Sequence, residues 1–500
     1  MPCRANVQLP SLFSDNMVLQ RDKPISVWGT ADPGEIVGIR FGDQAKIVTA
    51  DKDGKWLATL PPVAAGGPFT LTVHGKNEVT VKNVMVGEVW LLAGSSNMGA
   101  IYSVCEHTEQ DTASANLPEL RLFKVPENLA HQPLEKTGGD WKLCSSESVQ
   151  NFSSIGFYIG RELQQKLHVP VGIIQGTFPD APIETWVSRD ATDNASDFKS
   201  LGSRSEKAEE EYGIVQGRYE EALAEWDKKC EEARKAHRPE PPTPPLPPPR
   251  RMGLVGSAFN GQINPVTPYT MRGMFFYEGE NDIAANAGIR WKLLFTVLIK
   301  DWRDRFKDPS LPVYYVQLPN AGKRQDKPGE SFWAEIREAQ AVCRRIPFLY
   351  MVATIDTGSG VTVDMHPRDK RMIAIRLAHA ALATQYHVAV PYASPIYDSM
   401  ENLGGKIRLH FRNAEKGLIS KGLPVEGFQI AGEDEKFVFA NAQTDGETIL
   451  VSSDKVSKPV AVRYGWADNP ALNLYNADKM PVAPFRTDTW QHANPVTTKK

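Results

Sequence analysis

The sequence predicts a doubly wound α/β fold: a parallel sheet covered on both faces by helices, with a small β-sandwich before it and further strands after it. Three observations predict this. Residues 1–86 break into short β-rich runs separated by turn signals, residues 87–386 alternate uninterrupted apolar runs with helical stretches, and residues 387–500 return to short strand-like runs.

In the first region the runs "PISVWG", "EIVGIRF", "KIVTA", "KWLATL", "FTLTVHG" and "EVTVKNV" are divided by Asp-Pro-Gly, Asp-Gly and Gly-Gly. Short strands at regular spacing with such turns predict a β-sandwich of about 80 residues. In the second, "EVWLLA", "VPVGIIQG", "RGMFFYEG", "LPVYYVQL" and "PFLYMVAT" carry no alternating polar positions, and helical stretches such as "IGFYIGRELQQKLH" separate them. A strand buried on both faces has no solvent side, so it reads as a continuous apolar run, and that is the signature of a parallel sheet. Residues 203–251 interrupt this unit as an insertion, charge-rich and helical up to 237 and then proline-dominated in "RPEPPTPPLPPPRR". The proline tract reads as a stiff extended spacer or as a ligand for an SH3-type domain. The runs "KIRLHF", "GFQIAG", "KFVFANAQ", "TILVSS" and "PVAVRYGW" in 387–500 are compatible with strands added to the α/β unit or with a separate β subdomain.

Composition excludes several classes of function. The 500 residues carry a formal charge of −3 and are 41% hydrophobic, without the basic excess that nucleic acid or an anionic membrane demands. No apolar segment reaches the roughly 20 residues needed to span a bilayer. Cys3, Cys105, Cys144, Cys230 and Cys343 are odd in number and scattered, with no C-x-x-C pair, so neither a disulfide framework nor a zinc site is expected. The start, "MPCRANVQLP", lacks the apolar core of a signal peptide.

In doubly wound sheets, ligands gather at the carboxyl ends of the strands. Past "EVWLLA" come Gly94, Ser95, Ser96 and Asn97; past "VGIIQ" come Gly176, Thr177, Phe178, Pro179 and Asp180. Past "GMFFY" come Glu278, Gly279, Glu280, Asn281 and Asp282; past "FLYMVAT" come Asp356 and then Asp364-Met365-His366-Pro367. One rim thus collects the parts of an acyl-transfer site. A serine hydroxyl needs an imidazole to take its proton, and a carboxylate to hold that imidazole in the correct tautomer. Ser96, His366 and Asp364 supply these. The Ser96 backbone N–H and the Asn281 amide are candidate donors to the negative oxygen of a tetrahedral intermediate.

The ordered segments "GEVWLLAGSSNM", "GRELQQKLHVPVGIIQGTFPDAPIETWVS", "RGMFFYEGEND", "WAEIREAQ" and "DMHPRDK", with the opening "LFSDNMVLQRDKPISVWGTADPGEIV" and the closing "VRYGWADNP" and "PFRTDTW", resemble the sialate O-acetylesterase family of the SGNH hydrolase superfamily. The resemblance spans nearly the whole chain apart from the insertion. It implies an SGNH-type sheet and an esterase that removes acetyl groups from carbohydrate hydroxyls through an acyl-serine intermediate, with no metal or other cofactor. It also implies a secreted or periplasmic protein whose signal peptide is absent from this chain. The family's Gly-Gln-Ser-Asn-Met falls on residues 94–98, with Ser96 as nucleophile and Ser95 in place of Gln. Its Asp-Ile-His-Pro falls on residues 364–367.

The chain diverges in the oxyanion-hole block. The family's Trp-Gly-Gly-Thr-Pro is replaced by Phe178-Pro179-Asp180-Ala181-Pro182, and proline has no N–H to donate. A donor at position 180 survives as a backbone group beside an added carboxylate. The family's Gln-Gly-Glu-Ser-Asn becomes Glu278-Gly279-Glu280-Asn281-Asp282, so Glu278 and Asp180 are expected to add negative charge to the rim, raise the pKa of His366 and move the activity optimum upward in pH.

Other readings stand beside these. Ser-Ser-Asn after a strand also suits a helix N-cap, and His366 before Pro367 also suits a cap on "RDKRMIAIRLAHAALATQY". Asp364, Glu280, Asp282 and His366 are alternative ligands for a divalent cation. Asp356 is a second candidate for orienting the histidine, and Trp186, Trp333 and Tyr277 are candidates for a sugar platform or for core. A glycan-binding homologue with a decayed oxyanion site is the alternative function. The sugar, the acetyl position, the activity of the altered oxyanion block, the compartment and the oligomeric state are open at this level.

Overall fold

The computed structural model describes residues 7–245, 254–284, 286–358, 360–422 and 424–490. Cys3 and the end of the proline tract, 246–251, lie outside the described residues. Its centre is β1 (Glu78–Gly94), a 17-residue strand. After it come α1 (Ser96–Gly99), β2 (Leu117–Lys124), β3 (Trp141–Cys144), α2 (Ser154–Leu167), β4 (Val171–Thr177) and α3 (Leu201–Lys235). Then follow β5 (Gly273–Tyr277), α4 (Ala287–Arg305), β6 (Val313–Gln317), α5 (Phe332–Cys343), β7 (Leu349–Ala353) and α6 (Arg371–Tyr386). The sheet runs β7-β6-β5-β1-β4-β2-β3, with every pair parallel except the antiparallel edge strand β3. This is the expected doubly wound sheet.

Successive side chains of a strand point to opposite faces, and the two faces are covered by different helices. Leu92, Phe275 and Tyr314 are neighbours across β1, β5 and β6. Gly156 of α2 lies against Leu92, where an added Cβ would come within 2.4 Å, and Tyr314 bonds Thr384 of α6. On the other face Phe276 stacks on Phe295 of α4, and the Tyr315 hydroxyl donates to the Gln340 carbonyl of α5 at 2.6 Å.

The N-terminal half of β1 belongs to a second sheet. It pairs antiparallel with Gly66–His74, which pairs with Ile36–Phe41, which in turn pairs with Gln44–Thr49. Ile25–Thr30 and Lys55–Leu60 form a separate antiparallel pair whose residues alternate between core and surface. One apolar cluster runs without a break from Val7 to Leu382, because β1 carries it from the small sheets into the large one.

Beyond α6 the strands do not join the parallel sheet. Ile396–Asn402, Ile407–Arg412, Thr448–Ser452 and Asn441–Asp445 make one antiparallel sheet; Val438–Phe439, Phe428–Ala431, Ala461–Tyr464 and Phe485–Arg486 make another. They enclose their own core from Ile407 to Phe485. Of the two arrangements open from sequence, the separate β assembly is the one adopted. Arg337 of α5, fully buried, binds it to the α/β unit: its guanidinium donates to the carbonyls of Leu318 (2.9 Å) and Pro319 (2.7 Å) on one side, and of Ala467 (2.7 Å) and Asp468 (2.8 Å) on the other.

The insertion is helical, as its charge pattern predicts: α3 is 35 residues long and mostly exposed. The Trp226 indole donates to the Pro241 carbonyl at 2.8 Å, so the start of the proline tract lies back along the helix.

Candidate active site

Register assembles the rim. Gly94, the last residue of β1, stands beside Thr177 of β4 and Tyr277 of β5. The three strands therefore release their following loops at one level. Gly94 has φ +126°, and a Cβ there would lie 2.1 Å from the Tyr277 carbonyl oxygen, so only glycine allows the chain to turn this close to its neighbour. The Ser95 N–H donates to that same carbonyl at 3.0 Å, and the Phe178 N–H donates to the Gly94 carbonyl at 3.1 Å. The apolar strand ends on Gly-Ser-Ser-Asn because the turn must thread between two loops that also end there.

The two serines part company at this turn. Ser95 is buried, and its Oγ accepts from the Asn281 amide at 3.0 Å. Ser96, the first residue of α1, is half-buried with its Oγ at the surface of the rim. That oxygen donates to the Asp180 carboxylate (Oδ1, 2.8 Å) and accepts from the Asp180 backbone N–H (3.1 Å). Asp180 has φ +55°, a left-handed conformation that favours glycine. Pro179 has no N–H to offer, whereas position 180 has one. That N–H is aimed at the Ser96 hydroxyl, which the Asp180 carboxylate also holds.

In the third block Gly279 takes φ +134°, and the turn sends its carboxylates in different directions. Glu278 is only 1% exposed and accepts from the Trp291 indole at 2.9 Å. Burial, and then the neighbouring Asp282 carboxyl, push its pKa well above the usual carboxylate range. Glu278 thus does not add an exposed carboxylate to the rim as expected: the group lies behind it, where burial favours its protonated form. Asp282 accepts from the Ile183 N–H at 3.1 Å and so steadies the segment that follows Asp180. Asn281 is exposed beside Ser95.

The segment carrying His366 reaches the same place. The Asn97 amide donates to the Met365 carbonyl at 3.0 Å, which brings the residue after Ser96 against the residue before His366. Both Asp364 and His366 are exposed. The Asp364 carboxylate accepts from the His366 backbone N–H at 2.9 Å. It shapes the turn, and the contact to the imidazole expected from sequence is not the one it makes. His366 does not cap the next helix either, since α6 begins at Arg371 with Lys370 in the cap position.

Three of the alternative readings bear on residues whose contacts are now visible. Asp356 is committed to Arg376 through a two-pronged ion pair (2.7 and 2.9 Å), so it does not orient the histidine. Trp186, Trp333 and Tyr277 are buried core and not a sugar platform; the first two spend themselves on ring packing with Phe276 and on the Pro319 carbonyl. Among the described residues no three His, Cys, Asp or Glu side chains are gathered as a metal cage, and Glu280 faces the Asn97 amide at 2.6 Å.

Asn97, Glu280 and Lys370 form a buried polar cluster behind the Ser96 turn; reading the sequence for strand ends placed Asn97 and Glu280 near the rim but passed over Lys370 and the contacts that join the three. Lys370 Nζ donates to Asn97 Oδ1 at 2.5 Å. The signal for it was positional: Asn97 and Lys370 lie inside the very segments that carry Ser96 and His366.

Residues 258–383 match a family described as carbohydrate esterase, sialic acid-specific acetylesterase. That span holds the 278–282 turn and the 364–370 loop. A solved carbohydrate acetylesterase from Xanthomonas citri is 33% identical with a TM-score of 0.81, over 97% of this chain and 100% of its own. The sialate O-acetylesterase of Homo sapiens is 25% identical over 95% of this chain and 91% of its own length. That of Mus musculus is 25% identical over 95% and 93%.

Proposed function

Since this chain belongs to the sialate O-acetylesterase family of carbohydrate esterases, we propose that it removes acetyl groups from carbohydrate hydroxyls, with Ser96 as nucleophile and His366 as general base and then acid. Ser96 Oγ attacks the acetyl carbonyl carbon while its proton passes to the imidazole. The tetrahedral intermediate collapses as the bond to the sugar oxygen breaks and the imidazolium returns its proton to that oxygen. Water, deprotonated by the same imidazole, then attacks the acyl-serine; the bond to Ser96 Oγ breaks as the imidazolium returns the proton to that oxygen, and acetate is released.

The observation that carries this reading is the convergence of three loops on Ser96: Asp180 bonds its hydroxyl, Asn281 bonds its neighbour Ser95, and Asn97 bonds the residue before His366. The Ser96 and Asp180 N–H groups and the Asn281 amide are the donors proposed for the developing oxyanion, each worth about 3 kcal/mol in such a site. For turnover the hydroxyl leaves Asp180 for the imidazole, and Asp364 extends its hold from the His366 backbone to the ring. Acetate release across a panel of acetylated glycans, together with labelling of Ser96 by a fluorophosphonate, tests the assignment. Release without labelling would remove Ser96 from it.

One observation favours the alternative of a glycan-binding homologue that turns over slowly or not at all: the nucleophile's hydroxyl is held by a carboxylate. Asp180→Gly separates the two. The φ of +55° suits glycine, and the substitution frees the hydroxyl and removes a negative charge from beside the oxyanion, so kcat is expected to rise about 10-fold. A fall in kcat would mean that the carboxylate assists the reaction.

A further inference from the structure

Asn97 is 2% exposed, and both ends of its side-chain amide are used. Its Nδ2 donates to Glu280 Oε1 (2.6 Å) and to the Met365 carbonyl (3.0 Å), and its Oδ1 accepts from the Lys370 ammonium. One amide thus ties together the turn bearing Ser96, the turn bearing Asn281 and the loop bearing His366. Both polar partners are also inside: Lys370 is 1% exposed and Glu280 6%. A lysine placed this deep for a single side-chain acceptor is costly unless the contact is needed.

We propose that Asn97, held between Lys370 and Glu280, is the positioning residue that sets the His366 loop against Ser96, and that it couples the alkaline limb of turnover to the charge on Lys370. The proposal rests on Ser96 and His366 as the reacting pair. A charge-assisted hydrogen bond is roughly twice as strong as a neutral one. While Lys370 is protonated, the Asn97 carbonyl is gripped and its amide hydrogens stay aimed at Glu280 and Met365. When the proton leaves, that grip weakens, and the 364–367 turn is free to shift relative to Ser96.

The groups facing the ammonium come from every packed element: Cys105 ahead of the 109–113 helix, Glu280 from the third block, and Asp364 and Asp369 from its own loop. Glu280 in turn feels His366 and contacts Tyr277. Burial pulls the Lys370 ammonium down to about 8, against the pull of these carboxylates and the Cys105 thiol. The proton is therefore lost in the mildly alkaline range.

The test is the pH dependence of kcat and KM for an activated acetyl ester in the parent and in Lys370→Met and Lys370→Arg. The parent is expected to lose kcat as pH rises through about 8. Lys370→Met is expected to lower kcat at neutral pH by about 10²-fold, as a misplaced catalytic group does, with KM little changed and the alkaline limb abolished. Lys370→Arg is expected to keep part of the activity and lose the limb, because a guanidinium holds its charge to about pH 12 or beyond. Parent kcat and an unchanged limb in Lys370→Met would overturn the proposal; if that variant does not fold, an unchanged limb in Lys370→Arg does so. Ser96→Ala and fluorophosphonate labelling of the parent, run alongside, distinguish this failure from the failure of the Ser96 and His366 assignment, which would also take the proposal with it.

Discussion

Ser96→Ala is expected to lower the hydrolysis of an activated acetyl ester by at least ~10⁴-fold, and His366→Ala by a similar factor. In the proposed mechanism hydroxyl and imidazole act as a unit: without the base the hydroxyl is a poor nucleophile, and without the hydroxyl the base has no proton to take. The double variant is therefore expected to fall no further than either single one. Residual rate in all three would come from the backbone donors at Ser96 and Asp180 and from Asn281. Thermal unfolding should be little changed, since Ser96 is half-buried and His366 exposed. Single variants that retain the parent rate would dismiss the pair, and fully additive losses would show that the two residues do not work on one proton.

The second large effect concerns stability. Arg337→Met is expected to destabilise the protein by about 3 kcal/mol, because it takes the buried guanidinium from four carbonyls at the junction, of which Pro319 keeps the Trp333 indole and Asp468 the Ala321 N–H. Arg337→Lys should recover little of this, since a single ammonium cannot reproduce a planar fork that reaches Leu318, Pro319, Ala467 and Asp468 at once. Guanidinium denaturation gives the magnitude. Hydrogen exchange gives the place: protection in residues 396–486 should fall first, while the β1, β4 and β5 amides keep theirs. Uniform loss across both cores would mean that Arg337 acts elsewhere.

The large sheet was legible because its strands are buried on both faces, and a short unbroken apolar run such as "GMFFY" between turn residues is what a strand without a solvent side looks like. The ends of those strands located Ser96, Asp180, Asn281 and His366 at one rim. What was not legible depended on partners distant in the chain. Asp356 looked free because Arg376, which occupies it, lies 20 residues on, along a helix whose polar positions read as surface. Glu278 looked like rim charge because a carboxylate at a strand end is ordinarily solvated; only the Trp291 indole and the neighbouring Asp282 reveal that the chain buries it. The Asn97, Glu280 and Lys370 cluster escaped for the same reason, since an asparagine one residue past the candidate nucleophile is indistinguishable in one dimension from a cap. Residues 387–500 stayed ambiguous because short alternating strands carry no information about which sheet they join.

The double membership of β1 bears on how the chain matures on the ribosome. Its first half can zip onto Gly66–His74 as soon as both emerge, a contact between close neighbours in sequence. Its second half must wait for β4 and β5, which begin at Val171 and Gly273. The early hairpin thus fixes the pitch of a ribbon whose far end hangs unpartnered through a long stretch of synthesis, and everything later is laid down against a ruler already set.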